Sequence, residues 1–376
     1  MWIGVVGASA RAAVHSLARA GFSSSAIDLF ADRDLKRIAP CTVCPLDRYP
    51  DAIPELVASF PPGPILYTGG LENHPHVIRE LATQRELLGN PPEVLARVRD
   101  PFTLFPALAS AGFATPRLVP HGNSCPLGGR WLRKPIRSGG GLGIRFAQSG
   151  EAASPHHYFQ EFIDGVPMSV QLIIGSAIGV TQQLIGEPWL HARPFAYCGN
   201  VGPIQPTSQV DAMLVNGCLQ FNLAAKLCGA GGMDFMVADG TVYPIEVNPR
   251  YTAGLEVLEH ARHDSYLLAH LESFTRKGAF VKMPSVQRAR AVIGKAIYYA
   301  PRTITFPSHG PWDADLTGEF DPWRVPQFAD IPEPGSTIEA GSPVLTIFAT
   351  GSTPIEVRGR LQSRAAELDQ LFQDSP

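Results

Sequence analysis

Residues 232–250 read GMDFMVADGTVYPIEVNPR. Two strand-like runs flank Asp239-Gly240, a dipeptide favoured in two-residue hairpin turns. The pattern predicts a hairpin with Asp234 on one strand and Glu246 and Asn248 two apart on the other. Residues two apart on a strand share a face. Two carboxylates and an amide on one face make a hard oxygen site, suited to Mg2+ with bound phosphate rather than to zinc. Buried acids without a cation would repel and pay heavily for lost solvent. Arg250, two beyond Asn248, falls on the same face, and a metal-free salt-bridge cluster is the competing reading.

Two upstream segments fit the same chemistry. Arg133-Lys134-Pro135 is followed by Ser138, Gly139, Gly140, Gly141, Leu142 and Gly143. A strand there delivers a lysine, and a glycine-rich turn lets backbone N–H groups approach phosphates without side-chain clash. Taken alone, such a turn is more often hairpin punctuation. Residues 158–165, YFQEFIDG, form an apolar strand with an embedded acid. Such a strand either offers backbone groups to an adenine edge or is simply amphipathic with Glu161 in solvent.

Further out, the N-terminal third alternates strand and helix. Trp2 to Val6, Ala26 to Phe30 and residues 65–67 read as strands, and residues 10–20 and 76–83 as helices. This alternation predicts a doubly wound parallel sheet. Residues 93–112 read as helical and 130–185 as β-rich. Helices are expected over 209–228, 254–274 and 363–372, the last in a proline-rich, β-rich tail. The 376 residues suggest two or three domains. A composition of 45% hydrophobic and 17% charged residues is that of a globular enzyme, and a net charge of -3 without a basic stripe argues against a nucleic-acid partner. No apolar run reaches the roughly 18–20 residues of a membrane helix. The apolar start lacks a basic leader, and six scattered cysteines suit a reducing cytoplasm.

The order KP-x3-GGG-x-G, QEFIDG, MDF…IEVNPR resembles the ATP-grasp superfamily, near biotin carboxylase and the carboxylate–amine ligases, over about residues 1–275. The resemblance implies an α/β and α+β ATP-grasp fold. It would have a doubly wound pre-ATP-grasp domain at 1–88, an ATP-grasp domain at 89–275 with a lid near 117–164, and a small C-terminal β-rich module at 276–376. It implies ATP and Mg2+, with Mn2+ as an alternative. Lys134 would contact the phosphates, covered by Ser138, Gly139, Gly140, Gly141 and Gly143, while Gln160, Glu161, Phe162 and Ile163 would line the adenine pocket. Asp234, Glu246 and Asn248 would hold the metal, and Arg250 with Lys134 would act on the transferred phosphoryl group. The implied activity joins a carboxylate to an amine through an acyl phosphate, both being small molecules, without nucleic acid or membrane. The look is nearest to carboligases found with one-carbon cofactor genes, which suggests amino-acid addition to a pterin or furan cofactor. Two positions depart from the family: Pro101 follows Asp100 where a phosphate-binding lysine is expected, with Arg97 or Arg99 as substitutes, and Pro167 replaces an acid near the ribose.

Other features point less clearly. Cys41 and Cys44 have CxxC spacing but no second pair, so ordinary thiols are expected. His260 and His263, beside Glu256 and Glu259, read as a solvated helix face. Residues 193–200 read as a loop forming a substrate wall, and Glu72 and Asn73 as either substrate contacts or a plain turn. The tail reads as a structural or dimer-forming cap, so a homodimer enters the expectations. Rival readings are a bicarbonate-activating carboxylase, a nucleotide binder without turnover, and an oxidoreductase opening on Gly4 to Ser9 with Asp32 at the ribose.

Overall fold

The computed structural model describes residues 1–275 and 289–373. Strands β1 (Trp2–Val6), β2 (Ser23–Asp28), β3 (Cys41–Val43) and β4 (Ile65–Tyr67) form a parallel sheet in the order β3-β2-β1-β4. Both faces are covered: β1 is a continuous apolar run, while β2 buries Ser24 and Ser25 together with Ala26 and Ile27. On one face lies α1 (Arg11–Arg19), whose Ala13, Val14 and Leu17 join a core that includes Tyr251, Leu255 and Leu258. On the other lies α2 (Pro75–Gln84), through Val77, Ile78 and Leu81.

The helical stretch that follows is two helices, α3 (Pro92–Arg99) and α4 (Pro101–Ser110). Pro101 excludes the helical conformation from the residue before it, so Asp100 is extended (φ −88°, ψ 114°). Its carboxylate instead caps α4 by accepting from the Phe102 N–H.

Two antiparallel sheets come next. The smaller contains β5 (Leu118–Val119), β6 (Trp131–Pro135), β7 (Arg145–Phe146) and β8 (His157–Glu161), in the order β5-β8-β6-β7. The larger begins with β9 (Val166–Ile173), β10 (Ser176–Ile185), β11 (Tyr197–Ile204), β12 (Ala230–Ala238) and β13 (Thr241–Asn248). Helix α5 (Ser208–Ala225) packs Leu214, Cys218 and Phe221 against Val170, Met233 and Phe235 of this sheet. The expected helix over 254–274 is two, α6 (Ala253–Arg262) and α7 (Tyr266–Thr275), because His263 ends α6 in the left-handed region at φ 55°.

The β-rich tail is built onto the same sheet. β14 (Val292–Tyr299) pairs with β11 and with β18 (Pro343–Gly351), and β16 (Phe328–Ala329) lies beyond β18. The full order is β13-β12-β9-β10-β11-β14-β18-β16. β15 (Ile304–Thr305) and β17 (Thr337–Ile338) form a separate two-residue ladder. The last helix, α8 (Pro354–Gln373), starts well before the expected residue 363 and buries Val357, Leu361, Leu368 and Phe372. The expected boundary between residues 275 and 276 lies outside the described residues. Among the described residues no helix is long and apolar enough to cross a membrane.

α6 carries no solvated face, contrary to expectation: Glu256, Glu259 and His260 are all buried. Arg11 donates to Glu256 at 2.6 Å and to Asp330 at 2.7 Å, while Lys295 donates to Glu256 at 2.6 Å. Glu259 accepts from Arg19 at 2.6 Å, from Ser16 at 2.5 Å and from the Tyr251 hydroxyl at 2.8 Å. These pairs tie α1, α6, β14 and the loop after β16 together, and the sequence spacing on α6 could not reveal partners so distant in the chain. Removing one partner of a buried ion pair leaves the other charge stranded. Arg11→Met is therefore expected to destabilise the fold by about 3–5 kcal/mol in urea unfolding. A loss under about 1 kcal/mol, the level of a surface pair, would show that the network contributes little.

Candidate active site

The hairpin of β12 and β13 turns at Asp239 (φ 49°) and Gly240 (φ 73°), the positive-φ pair that matches strand twist. Close to the turn, Val237 faces Val242 and Met236 faces Tyr243. The register then shifts: Phe235 faces Pro244, yet Asp234 faces Glu246, so Ile245 is an extra residue. An unbroken ladder would put Glu246 opposite Met233, on the face away from Asp234. The bulge is what brings the two carboxylates together. Pro244 is tolerated because β13 is an edge strand.

These acids line a cleft of about 360 Å³ between the smaller and larger antiparallel sheets. One end is apolar, formed by Leu132, Phe162, Ile163, Ile185, Met236 and Ile245. The other is polar, with Lys134, Gln160, Ser169, Gln183, Asp234, Glu246, Asn248 and Arg250. Burial first, and the Glu246 charge second, push the Asp234 carboxyl up to about 6, against hydrogen bonds from Ser169 and Gln183 that favour its ionised form. The Asn248 amide donates to Asp234 at 3.1 Å.

Three cations surround the pair. Arg99 donates to Glu246 at 2.5 Å and to the Ser138 carbonyl at 2.7 Å. Arg250 donates to Glu72 at 2.9 Å and lies 3.4 Å from the Asn248 amide oxygen. Lys134 donates to Gln160 at 3.0 Å, and burial lowers its ammonium below the ordinary lysine range. Burial alone would raise the Glu72 carboxyl, but the Arg250 and Arg99 guanidiniums outweigh it and hold it low. Glu72 and Asn73 thus act as supports for arginines: Asn73 accepts from Arg99 at 3.0 Å. Arg97, the other candidate substitute, turns away to the Ala225 carbonyl.

The glycine turn closes over this end. The Tyr197 N–H donates to the Gly140 carbonyl at 3.0 Å. Gly141 has φ 78°, and a Cβ there would stand 1.8 Å from the Phe195 carbonyl oxygen, so only glycine fits. Residues 193–200 are accordingly part loop and part strand, because Tyr197 onward pairs in β11; Phe195, Tyr197 and Asn200 line the cleft.

Of the expected residues, Lys134, Gly139, Gly140, Gly141, Gln160, Phe162, Ile163, Asp234, Glu246, Asn248 and Arg250 share the cleft wall, as does Pro167. Ser138 lines an adjoining hollow with Arg99 and Tyr158. Gly143 packs near Pro135. The Glu161 side chain leaves the wall: strand alternation sends it to the face opposite Gln160, where it accepts from Arg117 at 2.9 Å. Ser169 and Gln183, single polar residues within strands, and Thr252, the N-cap of α6, carry no motif that the sequence reading could use.

Two carboxylates and an amide oxygen fit a hard divalent cation such as Mg2+, and a partly buried, mutually repelling pair is relieved by one. Among the described residues no group of three or more His, Cys, Asp or Glu side chains could hold a metal, so the amide of Asn248 is needed for a third ligand. Cys41 and Cys44 are free thiols, and burial followed by the Asp28 charge pushes Cys41 up to about 12. The turn after β1 is filled: a Cβ on Gly7 would stand 2.0 Å from the Thr68 hydroxyl, and the Ala8 N–H donates to the Gly69 carbonyl.

Residues 98–254 match the family model of the ATP-grasp domain. The chain superposes on an L-amino acid ligase from Bacillus licheniformis at TM-score 0.70 and 16% identity, covering 97% of each chain. Against N5-carboxyaminoimidazole ribonucleotide synthetase from Thermus thermophilus the TM-score is 0.67 at 14% identity, covering 100% of this chain and 99% of that one. Against the biotin carboxylase domain of 2-oxoglutarate carboxylase from Hydrogenobacter thermophilus, a dimer with MgADP, ADP and bicarbonate, it is 0.70 at 16% identity, covering 96% and 88%. At these identities the likeness is one of fold. No curated protein matches the sequence.

The raised Asp234 carboxyl sets a pH test. Between its ordinary value of 3.8 and about 6, the folded chain holds a proton that the unfolded chain releases. Stability from this group is thus present at low pH and lost as pH rises through about 6. Asp234→Asn removes the charge and is expected to stabilise the metal-free protein by about 1–2 kcal/mol at pH 8, discounted for solvent in the cleft, and by less at pH 5. Urea unfolding at both pH values in chelator checks it; an equal effect at the two would remove the electrostatic explanation.

Proposed function

We propose, from the match of residues 98–254 to the ATP-grasp domain family, that this chain is an ATP- and Mg2+-dependent ligase joining a carboxylate to an amine. The observation that carries the reading is the Asp234–Glu246–Asn248 oxygen set beside Lys134, Arg99 and Arg250, under a glycine turn, in a cleft with an apolar far end. The apolar end suits a flat purine ring, with Gln160, Phe162 and Ile163 at its edge. Asp234, Glu246 and Asn248 would hold Mg2+, which when bound supplies charge neutralisation for phosphoryl transfer.

The chain's own groups account for the rest. Lys134 and Arg99 place positive charge where the phosphates would lie, and Arg99 takes the place of the lysine missing after Asp100. Arg250, oriented by buried Glu72, stabilises charge on the transferred phosphoryl group or the acyl phosphate formed from the carboxylate substrate. Gly139 to Gly141, without side chains, would let backbone N–H groups approach the phosphates. Attack by the amine on the acyl carbon then releases phosphate. Phosphoryl transfer asks for positioning and charge rather than a protein nucleophile.

The finer parts of the proposal are amino-acid addition to a pterin or furan precursor, Mn2+ in place of Mg2+, a cytoplasmic setting, and the division at 1–88, 89–275 and 276–376. The cytoplasmic setting rests on the six scattered cysteines, and the others on the sequence resemblance.

ADP release from Mg·ATP across a panel of acids and amines tests the reading. It is expected only when a matched acid and amine are both present. Bicarbonate-dependent release without an amine would favour the carboxylase alternative, and ATP binding without release in any mixture would favour a non-catalytic binder. Glu246→Ala is expected to lower turnover by about 10³-fold with the fold retained, the scale of several kcal/mol of lost charge stabilisation. Normal turnover in that variant would remove the metal assignment.

A further inference from the structure

Helix α5 is apolar on both sides. Its inner face buries Val210, Leu214, Cys218, Phe221 and Ala225. Its outer face exposes Val215, Leu219 and Leu223, which are 49%, 47% and 67% exposed. These three sit at four-residue intervals and so form one stripe along the helix. Scattered surface aliphatics need no account, but three in line form a continuous apolar stripe, bordered by the exposed Asn216 and Gln220, that a partner would cover.

We propose that this outer face is the contact between two copies of the chain, with α5 packed antiparallel against its counterpart about a two-fold axis at Leu219. The stripe is self-complementary about that residue. Val215 and Leu223 lie equally far on either side, so an antiparallel pair sets each Val215 against the opposing Leu223 and Leu219 against itself. The charges at the ends obey the same symmetry. Asp211 stands in the first turn and Lys226 at the C-cap, and neither side chain has an ion-pair partner among the described residues. Antiparallel packing places each Asp211 near the opposing Lys226, and it sets the positive end of one helix dipole beside the negative end of the other. No charged residue lies between Asp211 and Lys226 in the helix, so nothing charged is desolvated in the middle. A two-fold contact of this kind uses the same patch on both subunits and closes on itself. None of the three stripe residues lines the cleft, so the contact does not occlude it.

Sedimentation velocity or light scattering of the full chain at micromolar concentration tests this. The expected mass is twice 40.5 kDa. Leu219→Glu sets like charges face to face on the axis and is expected to give monomers, weakening association at least about tenfold, with far-UV circular dichroism unchanged. Asp211→Lys is expected to weaken the dimer, and Asp211→Lys combined with Lys226→Asp to restore it. A wild-type monomer overturns the proposal. So does a dimer that Leu219→Glu leaves intact, which would place association elsewhere, or a charge-reversed pair that fails to restore what the single reversal lost.

Discussion

Two carboxylates facing each other across neighbouring strands are the constraint to which the surrounding residues answer. Asp234 and Glu246 cannot both be ionised cheaply in a cleft that water reaches only in part. Arg99, Arg250 and Lys134 therefore converge on the pair, and each is itself held: Arg99 by Asn73 and the Ser138 carbonyl, Arg250 by Glu72, Lys134 by Gln160. Local charge balance reaches outward in this way. It draws the turn after β4, the end of α3 and the glycine turn into one network, and leaves an oxygen site that a divalent cation would complete.

That network needs a rigid frame, because the arginines come from parts of the chain far from the hairpin. The N-terminal parallel sheet supplies Glu72 and Asn73, and α1 packs it against α6 just beyond Arg250. The buried ion pairs from Arg11 and Arg19 to Glu256 and Glu259 lock that packing, and Lys295 and Asp330 extend it to the tail. Ion pairs of this kind stabilise little relative to apolar packing, yet they penalise any arrangement that separates them. Here they specify how the N-terminal sheet sits on the larger one. By contrast, the glycine turn is attached through the Gly140 and Ser138 carbonyls and is otherwise largely exposed. A segment with few buried contacts opens at lower cost than the strands beneath it.

Much of this was legible in the residue order. The alternation in the first third read correctly as a parallel sheet, since strands separated by helices pair side by side in that way. Asp239-Gly240 marked its turn because both positions require positive φ. Lys134, Gly139 to Gly141, Gln160, Phe162, Ile163 and the acids of the hairpin did assemble around one cleft. Errors came where a long-range partner decides the outcome. Glu256 and Glu259 look like a solvated face on their own helix, and only Arg11 and Arg19, far back in the chain, make them core residues. Glu161 falls outside the cleft because of which face of β8 meets it, and Arg99 prevails over Arg97 because α3 turns one arginine inward and the other outward.

The sequence by itself determined the elements and the chemistry on offer: apolar periodicity, turn dipeptides and proline positions are local properties, and so are the residue types that suit phosphate and a hard cation. Tertiary structure decided which of those groups meet. The clearest case is Ile245. With the turn and strands read as a plain ladder, Asp234 and Glu246 would point to opposite faces, and a single extra residue in β13 reverses that. A strand's side-chain period is two, so a one-residue shift exchanges its faces, and no local signal in the sequence records the shift.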